Sequence, residues 1–152
     1  GLQEMFSVGN LDAKRDWGYA PEYVEGMWRM LQQDTPDDYV LATGKAYSVK
    51  QFVEMAFKEV GIEVGWKGKG INEKGVDKTN GKVLVQIDSN YYRPTEVESL
   101  IGDATKADKE LGWKPKISFQ EMVAEMVAFD LEQVNKDIYL IQGGHRVINT
   151  KE

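Results

Sequence analysis

The chain has 152 residues, of which 41% are hydrophobic and 29% charged, and it carries a formal net charge of −6. Such a chain is long enough to bury a core, which excludes a wholly disordered protein, and no apolar run approaches the ~18 residues of a membrane span. The acidic balance argues against a nucleic-acid partner. The absence of cysteine and the presence of one histidine exclude disulfides, a thiol nucleophile and metal sites built from thiolates or several histidines.

The first part of the chain predicts a strand, a helix and a second strand. Residues 5–8 form a short apolar run typical of a strand. A helix is predicted over 21–33, because proline suits its first turn and apolar residues recur at helical spacing. The residues of that apolar face are Val24, Met27, Trp28 and Leu31. After a turn, residues 39–43 predict a buried strand.

Two capping boxes predict two further helices. Ser48 is followed three positions later by Gln51, and Ser118 by Glu121, a spacing at which each side chain can cap the other residue's backbone N–H. The first box predicts a helix over 49–60, closed by a glycine. The second predicts a helix that starts at residue 119.

The remaining segments define the predicted domain organisation. Residues 64–82, rich in glycine and lysine, are predicted to form a flexible loop. A strand is predicted over 83–87, and a short helix over 103–111 with Asp103 as its cap. The apolar pattern of the last helix weakens after residue 134, so residues 1–134 are treated as one domain and residues 135–152 as a tail.

The predicted fold class is α/β, because strands and helices alternate along the chain. About three strands and four helices are too few for a full doubly wound sheet. The glycine-rich region matches neither GxGxxG nor a P-loop, and GxSxG and Tyr-x-x-x-Lys are both absent. The residues therefore provide no complete catalytic set and no metal site.

Two clusters combine arginine with aromatic residues in irregular backbone. The first runs from Arg15 to Tyr19 and reads RDWGY; the second, YYRPTEV, contains Arg93 and Glu96. Arginine binds phosphate through two parallel hydrogen bonds, and aromatic rings can flank a base or sugar. The alternative is structural: Arg15 pairs with Asp16, Arg93 pairs with Glu96, and the rings fill a core.

The sequence resembles the GDP-mannose 4,6-dehydratase family over about residues 1–132. The runs that carry the resemblance include NLDAKRDWG and YYRPTEVESLIGD. The family is a group of extended short-chain dehydrogenase/reductases that act on nucleotide sugars. The resemblance implies the mixed α/β substrate-binding lobe of such an enzyme, lacking most of the Rossmann sheet. It also implies GDP-mannose as substrate and NADP as cofactor, which takes a hydride from sugar C4 and returns it at C6 after water leaves across C5 and C6.

The resemblance also implies roles for five residues. Arg15 and Arg93 resemble the arginines that hold the diphosphate, and Glu96 resembles the carboxylate that accepts hydrogen bonds from the ribose. Asn10 and Lys14 lie near that pocket in sequence. The family's cofactor fingerprint and catalytic residues belong to an N-terminal Rossmann portion that these residues do not include. The chain alone is therefore expected to be inactive and not to bind NADP.

Three functional hypotheses remain open from the sequence. The first is a fragment of a homo-oligomeric cytoplasmic dehydratase, whose partner is the N-terminal Rossmann portion; the opening Gly1, where a natural start would have methionine, favours it. The second is a self-standing, non-catalytic module that binds nucleotide sugars. The third is an interaction domain whose apolar helices contact a partner. We expect no membrane association under any of them.

Overall fold

A computed structural model describes residues 3–93 and 99–147 of the chain, with the side chain of residue 99 left aside. Within these ranges there are seven strands, four α-helices and one 3₁₀ turn. In chain order they are β1 (Phe6–Val8), β2 (Lys14–Arg15), α1 (Ala20–Met30), β3 (Tyr47–Ser48), α2 (Val49–Glu59), β4 (Val64–Lys67), a 3₁₀ turn (Gly70–Asn72), β5 (Lys74–Asp77), β6 (Val83–Ile87), β7 (Ser99–Leu100), α3 (Thr105–Leu111) and α4 (Phe119–Gln142).

The strands form two small sheets, which confirms the mixed α/β class. The larger sheet has the order β1-β6-β5-β4, with β1 parallel to β6 and the other pairs antiparallel. The smaller sheet has the order β3-β2-β7, with β2 antiparallel to β3 and parallel to β7. Since β1 and β2 are separated by only five residues, the two sheets meet at the turn between them.

Both predicted capping boxes are present and start helices where the sequence indicated. In α2 the Gln51 N–H donates to the Ser48 hydroxyl at 3.1 Å, and the Ser48 N–H donates back to the Gln51 side chain at 2.8 Å. The Ser118–Glu121 box starts α4 in the same way. The strands predicted at 5–8 and 83–87 are also confirmed, as β1 and β6.

The core consists of two aromatic-rich clusters. In the first, the Phe119 ring of α4 stacks on the Tyr47 ring with centroids 4.1 Å apart. The Phe52 ring of α2 contacts the Phe119 ring edge-on. In the second, Trp113 is 2% exposed and packs beside Tyr23 of α1. These clusters fix α2 against α4 and α1 against α3.

The prediction of a flexible loop over 64–82 is wrong. Residues 64–67 and 74–77 are β4 and β5, which pair with each other and join the larger sheet through β6. Val64 and Val76 are buried in it. Two of the glycines that suggested a loop have structural roles. Gly68 takes φ +88°, and a Cβ built on Gly75 would lie 3.1 Å from a ring atom of Trp66.

The prediction of a buried strand over 39–43 is also wrong. The structure assigns no strand to these residues, and only Ala42 among them is buried, whereas Val40 is more than half exposed. An extended segment becomes a strand only when a neighbour supplies a ladder of hydrogen bonds. Val40 and Ala42 lie close to Gly102 instead, and residues 39–43 form no such ladder with any described strand.

Two predicted helix boundaries also differ from the structure. The helix predicted over 21–33 is α1, Ala20–Met30, and the apolar face predicted for it is largely exposed. The helix α4 continues to Gln142, so the predicted boundary after residue 134 falls inside it. No described helix has both the length and the apolar character needed to cross a bilayer.

Candidate functional site

The candidate site begins at the edge of the larger sheet where β1 and β6 end. The strands are parallel, so their carboxyl ends meet, and open α/β sheets bind ligands at such edges. The pairing continues past β6 with a 2.9 Å hydrogen bond from the Asp88 N–H to β1. A Cβ built on Gly9 would lie only 2.6 Å from the Tyr91 carbonyl oxygen. The turn that holds Asn10 and the turn that leads to Arg93 are therefore in contact.

Local hydrogen bonds shape both turns. The Asn10 side-chain oxygen accepts the Asp12 N–H at 3.0 Å, so this half-buried side chain caps its own turn. The Asp88 carbonyl accepts the Tyr91 N–H at 3.1 Å. Tyr91 and Arg93 have exposed side chains at this edge. The structure thus brings two of the five predicted site residues, Asn10 and Arg93, to neighbouring turns.

The turn after Asn10 is held by the first residues of α2. The Lys50 N–H donates to the Leu11 carbonyl at 2.9 Å, and the Val49 N–H donates to the Ala13 carbonyl at 3.1 Å. These donors belong to the first turn of the helix, where N–H groups have no partner inside the helix. The buried Leu11 side chain anchors the same turn in the core. The start of β2 is therefore fixed in space.

The side chain of Lys50 adds a charged contact to this arrangement. Its Nζ lies 2.8 Å from a Glu73 carboxylate oxygen, 3.5 Å from one of Asp12, and over the ring of Trp66. Burial works to lower the pKa of Lys50, but the hydrogen bond to Glu73 and the charge of Asp12 outweigh it, so the pKa is raised. Lys50 remains charged and connects the turn to Glu73, directly before β5.

Lys14 and Arg15 form β2, the central strand of the smaller sheet. Their side chains alternate across the strand: Lys14 is exposed, whereas Arg15 is half-buried between Tyr47 of β3 and Leu100 of β7. The Arg15 guanidinium donates to the Lys14 carbonyl at 2.8 Å. Arg15 also lines a cleft of about 340 Å³. The cleft is lined by Arg15, Asp16, Tyr23, Val40, Leu41, Ala42, Leu100, Ile101 and Gly102.

The Asp16 carboxylate joins segments that are distant in sequence. Its Oδ1 accepts the Thr43 N–H at 2.9 Å and also the Thr43 hydroxyl. Its Oδ2 accepts the Gly44 N–H at 2.9 Å and the Gly102 N–H at 3.3 Å. Sequence reasoning treated Asp16 as a partner for Arg15 and did not identify these bonds.

The aromatic residues that follow Arg15 have different environments. Trp17 and Tyr19 pack against the Phe119 cluster, so the structural alternative applies to these two rings. The Tyr19 hydroxyl donates to Glu125 at 2.6 Å, and this bond raises the pKa of Tyr19. Tyr23 lines the cleft and was not identified from the sequence. Its pKa is raised, mainly by burial and further by the charge of Asp16.

Glu96 lies outside the described residues, as does its suggested pairing with Arg93. Within the described ranges, no group of acidic or histidine side chains could hold a metal ion. A separate cavity of about 430 Å³ lies between β1 and α2. Its lining is apolar: Phe6, Val8, Trp17, Val49, Phe52, Val53, Ala56, Phe57 and Val60. The polar chemistry of the site is therefore concentrated on the turns around β1 and β6 and on the cleft beside Arg15.

Comparison with known proteins places this geometry in a family. The family model described as GDP-mannose 4,6 dehydratase matches residues 1–126. The chain is 54% identical over 134 residues to the GDP-mannose 4,6 dehydratase of Drosophila melanogaster, covering 88% of this chain and 34% of that protein. It is 56% identical over 132 residues to the Homo sapiens protein of the same name, covering 87% and 36%. The chain thus spans about a third of the length of these relatives.

The fold is also found in solved structures. One is the structure of RMD from Pseudomonas aeruginosa complexed with NADPH, which superposes with a TM-score of 0.62 at 16% sequence identity. The match covers 82% of this chain and 35% of that protein.

Proposed function

The chain belongs to the GDP-mannose 4,6-dehydratase family, and we propose that it supplies the substrate-binding part of an enzyme that converts GDP-mannose to GDP-4-keto-6-deoxymannose. The observation that carries this proposal is the position of Arg15, half-buried on the wall of a cleft inside the matched region. A guanidinium in this setting is suited to a diphosphate, because it can form two parallel charge-assisted hydrogen bonds.

A second cation supports the same ligand. Arg93 is exposed on the turn that touches the turn of Asn10, at the carboxyl edge of the parallel pair β1 and β6. Lys14 is exposed on the strand that contains Arg15. We propose that Arg15 and Arg93 bind the two phosphates, that Glu96 accepts hydrogen bonds from the ribose, and that Asn10 and Lys14 lie at the margin of the pocket.

NADP belongs to this proposal as the cofactor of the complete enzyme, as NADPH is bound in the RMD structure. The residues of this chain do not fit an NADP site. In the described part, three strands lead into α-helices. β3 runs directly into α2, whereas β2 reaches α1 and β7 reaches α3 across connections with one glycine each, so none of the three junctions is a glycine-rich phosphate loop. We therefore assign no cofactor contact and no catalytic residue to the chain.

The partner in this proposal is the remaining part of the enzyme. The apolar face of α1 is exposed, with Trp28 at 60% and Leu31 at 82% of full exposure. Leu100 and Ile101 beside the cleft are also exposed. The relatives are about two and a half times as long as the chain, which provides a partner of suitable size for these surfaces. A homo-oligomeric, cytoplasmic enzyme completes the proposal.

The diphosphate assignment is tested by comparing GDP with guanosine on the natural polypeptide that carries this chain. Arg15→Ala and Arg93→Ala are each expected to weaken GDP binding by about tenfold to a hundredfold, because a charge-assisted hydrogen bond to phosphate is lost. Guanosine, which has no phosphate, should bind almost unchanged. Arg15→Lys should restore only part of the affinity, because an ammonium cannot form the planar pair of bonds.

The controls separate binding from folding. Arg146→Ala removes an exposed arginine beyond α4 and should leave both affinities unchanged. Glu96→Gln should weaken GDP and guanosine together, since both contain the ribose. Equal losses of GDP and guanosine in the two arginine variants would show that these residues are structural.

A titration with NADP distinguishes the two hypotheses of a part of a larger enzyme and of a self-standing binding module. The chain of 152 residues is expected neither to bind NADP nor to form the keto sugar from GDP-mannose. The natural polypeptide should do both if it is the dehydratase. Saturable NADP binding by the chain alone, measured by calorimetry, would contradict the assignment of the cofactor site to another part of the enzyme.

A further inference from the structure

Three stretches from different parts of the chain, together with Tyr23 of α1, form the walls of the cleft beside Arg15. The first is the end of β2, and the third is residues 100–102 at the end of β7. The second, residues 40–42, belongs to no strand in the described ranges. The ladder between β2 and β7 contains two residue pairs. Backbone pairing therefore accounts for little of the cleft's shape.

The carboxylate of Asp16 connects the three stretches. Oδ1 accepts the Thr43 N–H at 2.9 Å together with the Thr43 hydroxyl, directly after the second stretch. Oδ2 accepts the Gly44 N–H at 2.9 Å and the Gly102 N–H at 3.3 Å. Gly102 belongs to the third stretch. Both oxygens thus accept hydrogen bonds from residues that lie in a wall of the cleft or directly after one. Asp16 itself directly follows Arg15.

We propose that Asp16 is a positioning residue, whose carboxylate holds the walls of the cleft at the separation from Arg15 that a nucleoside diphosphate requires. The proposal rests on the proposed function, since it gives the cleft the same ligand. The proposed role requires a side chain with two acceptor oxygens, which an ionised carboxylate has. In asparagine an NH₂ donor replaces one of these oxygens and would face the Gly44 and Gly102 N–H groups.

The charge of Asp16 allows the effect of positioning on GDP affinity to be distinguished from the effect of charge. Asp16→Asn removes a negative charge from the wall of the cleft, and this electrostatic change alone would strengthen the binding of an anionic diphosphate. Loss of positioning would weaken it. The two effects therefore have opposite signs, and a loss of GDP affinity cannot be a simple effect of charge.

The experiment uses the natural polypeptide that carries this chain, with GDP and guanosine as probes and amide hydrogen exchange as a second readout. In Asp16→Asn, the amides of Thr43, Gly44 and Gly102 should exchange faster. GDP affinity should fall about tenfold, and guanosine affinity should stay within about twofold, because the cleft holds the phosphates.

Two further variants serve as a control and as a second test of the positioning role. Asp77→Asn is the matched control: Asp77 lines neither cleft and caps its own turn by accepting the Thr79 N–H at 2.7 Å, so its replacement should leave GDP affinity unchanged. Thr43→Val removes one donor to Asp16 from a residue that lines the neighbouring cleft. It should produce a smaller GDP loss in the same direction, and it decides the question if Asp16→Asn does not fold.

The possible failures are distinguishable. If the unaltered polypeptide does not bind GDP, the proposed function fails and this proposal fails with it. If the unaltered polypeptide binds GDP and Asp16→Asn binds it as tightly or more tightly, only the positioning role is overturned. Equal losses for GDP and guanosine would also overturn it, because they would indicate a general loss of structure.

Discussion

Gly9 lies where the turn after β1 touches the turn after β6. A Cβ built at this position would lie 2.6 Å from the Tyr91 carbonyl oxygen and 3.2 Å from its carbonyl carbon. Both are backbone atoms, so the contact could be relieved only by moving one turn away from the other. Gly9 therefore sets the separation between Asn10 and the turn that leads to Arg93.

Gly9→Ala is expected to lower the free energy of unfolding by about 1–3 kcal/mol, the usual cost of overpacking a tight contact. Urea denaturation measures it. Gly65→Ala is the matched control, because the Cβ would there meet a flexible Lys78 methylene at 3.1 Å; its effect should stay within about 0.5 kcal/mol. Equal stability of the two variants would contradict the close-approach role of Gly9.

At the scale of the elements, two helices begin with the same cap but with different chemistry. In α4 the Glu121 carboxylate accepts the Ser118 N–H at 2.8 Å and the Ser118 hydroxyl at 2.6 Å. The hydroxyl first, and then the backbone N–H, lowers the pKa of Glu121 below its ordinary value of 4.5. In α2 the corresponding residue is Gln51, which does not titrate.

This difference predicts that the cap of α4 depends on pH and that the cap of α2 does not. Because the folded pKa of Glu121 is lowered, its ionised form stabilises the helix fully above pH 4.5, and that contribution is lost as the pH falls through the folded pKa. Glu121→Gln should therefore be less stable than the unaltered protein at pH 7 and should approach it in acid.

Chemical denaturation across a pH series tests this prediction. The free-energy difference between the unaltered protein and Glu121→Gln should shrink below pH 4.5. Gln51→Ala, which breaks the other cap, should cost the same at every pH, since no charge is involved. A difference for Glu121→Gln that is constant down to the acid limit would show that its ionised form contributes nothing to the cap.

At the scale of the whole molecule, α1 exposes an apolar face to solvent, which is unfavourable in free energy. Val24, Met27, Trp28 and Leu31 lie at helical spacing, and each is more than half exposed. The helix is anchored from its other side, where Gly26 lies against Leu41 and Trp113. Amphipathic helices normally bury such a face, so this one is suited to contact with another protein surface.

The chain by itself is expected to associate as its concentration rises, because this apolar face is open to solvent. The double variant Trp28→Gln and Leu31→Lys should reduce association without lowering the free energy of unfolding, since both side chains are mostly exposed. Sedimentation across a concentration series measures it. Gln33→Lys adds the same charge nearby and should leave association unchanged. A monomer at all concentrations would contradict the prediction.

The sequence by itself determined the features that depend on neighbours in the chain. The capping boxes at Ser48 and Ser118 and the strand over 83–87 are confirmed, because each is specified by residues within one turn or one strand. Arg15 and Arg93 stay predictions, which the sequence allowed because their motifs are short and continuous. The family followed for the same reason, and the match to residues 1–126 confirms it.

The tertiary structure alone decided what depends on residues far apart. The Asp16 carboxylate bonds to Thr43 and Gly102, which are 27 and 86 residues away, so no local pattern revealed it. The β4–β5 hairpin was taken for a loop because it is rich in glycine. Composition cannot show that Gly68 has a positive φ in the turn or that Gly75 packs close to Trp66. Residues 39–43 have the pattern of a strand but lack a ladder, since a strand requires a partner and its own sequence does not provide one.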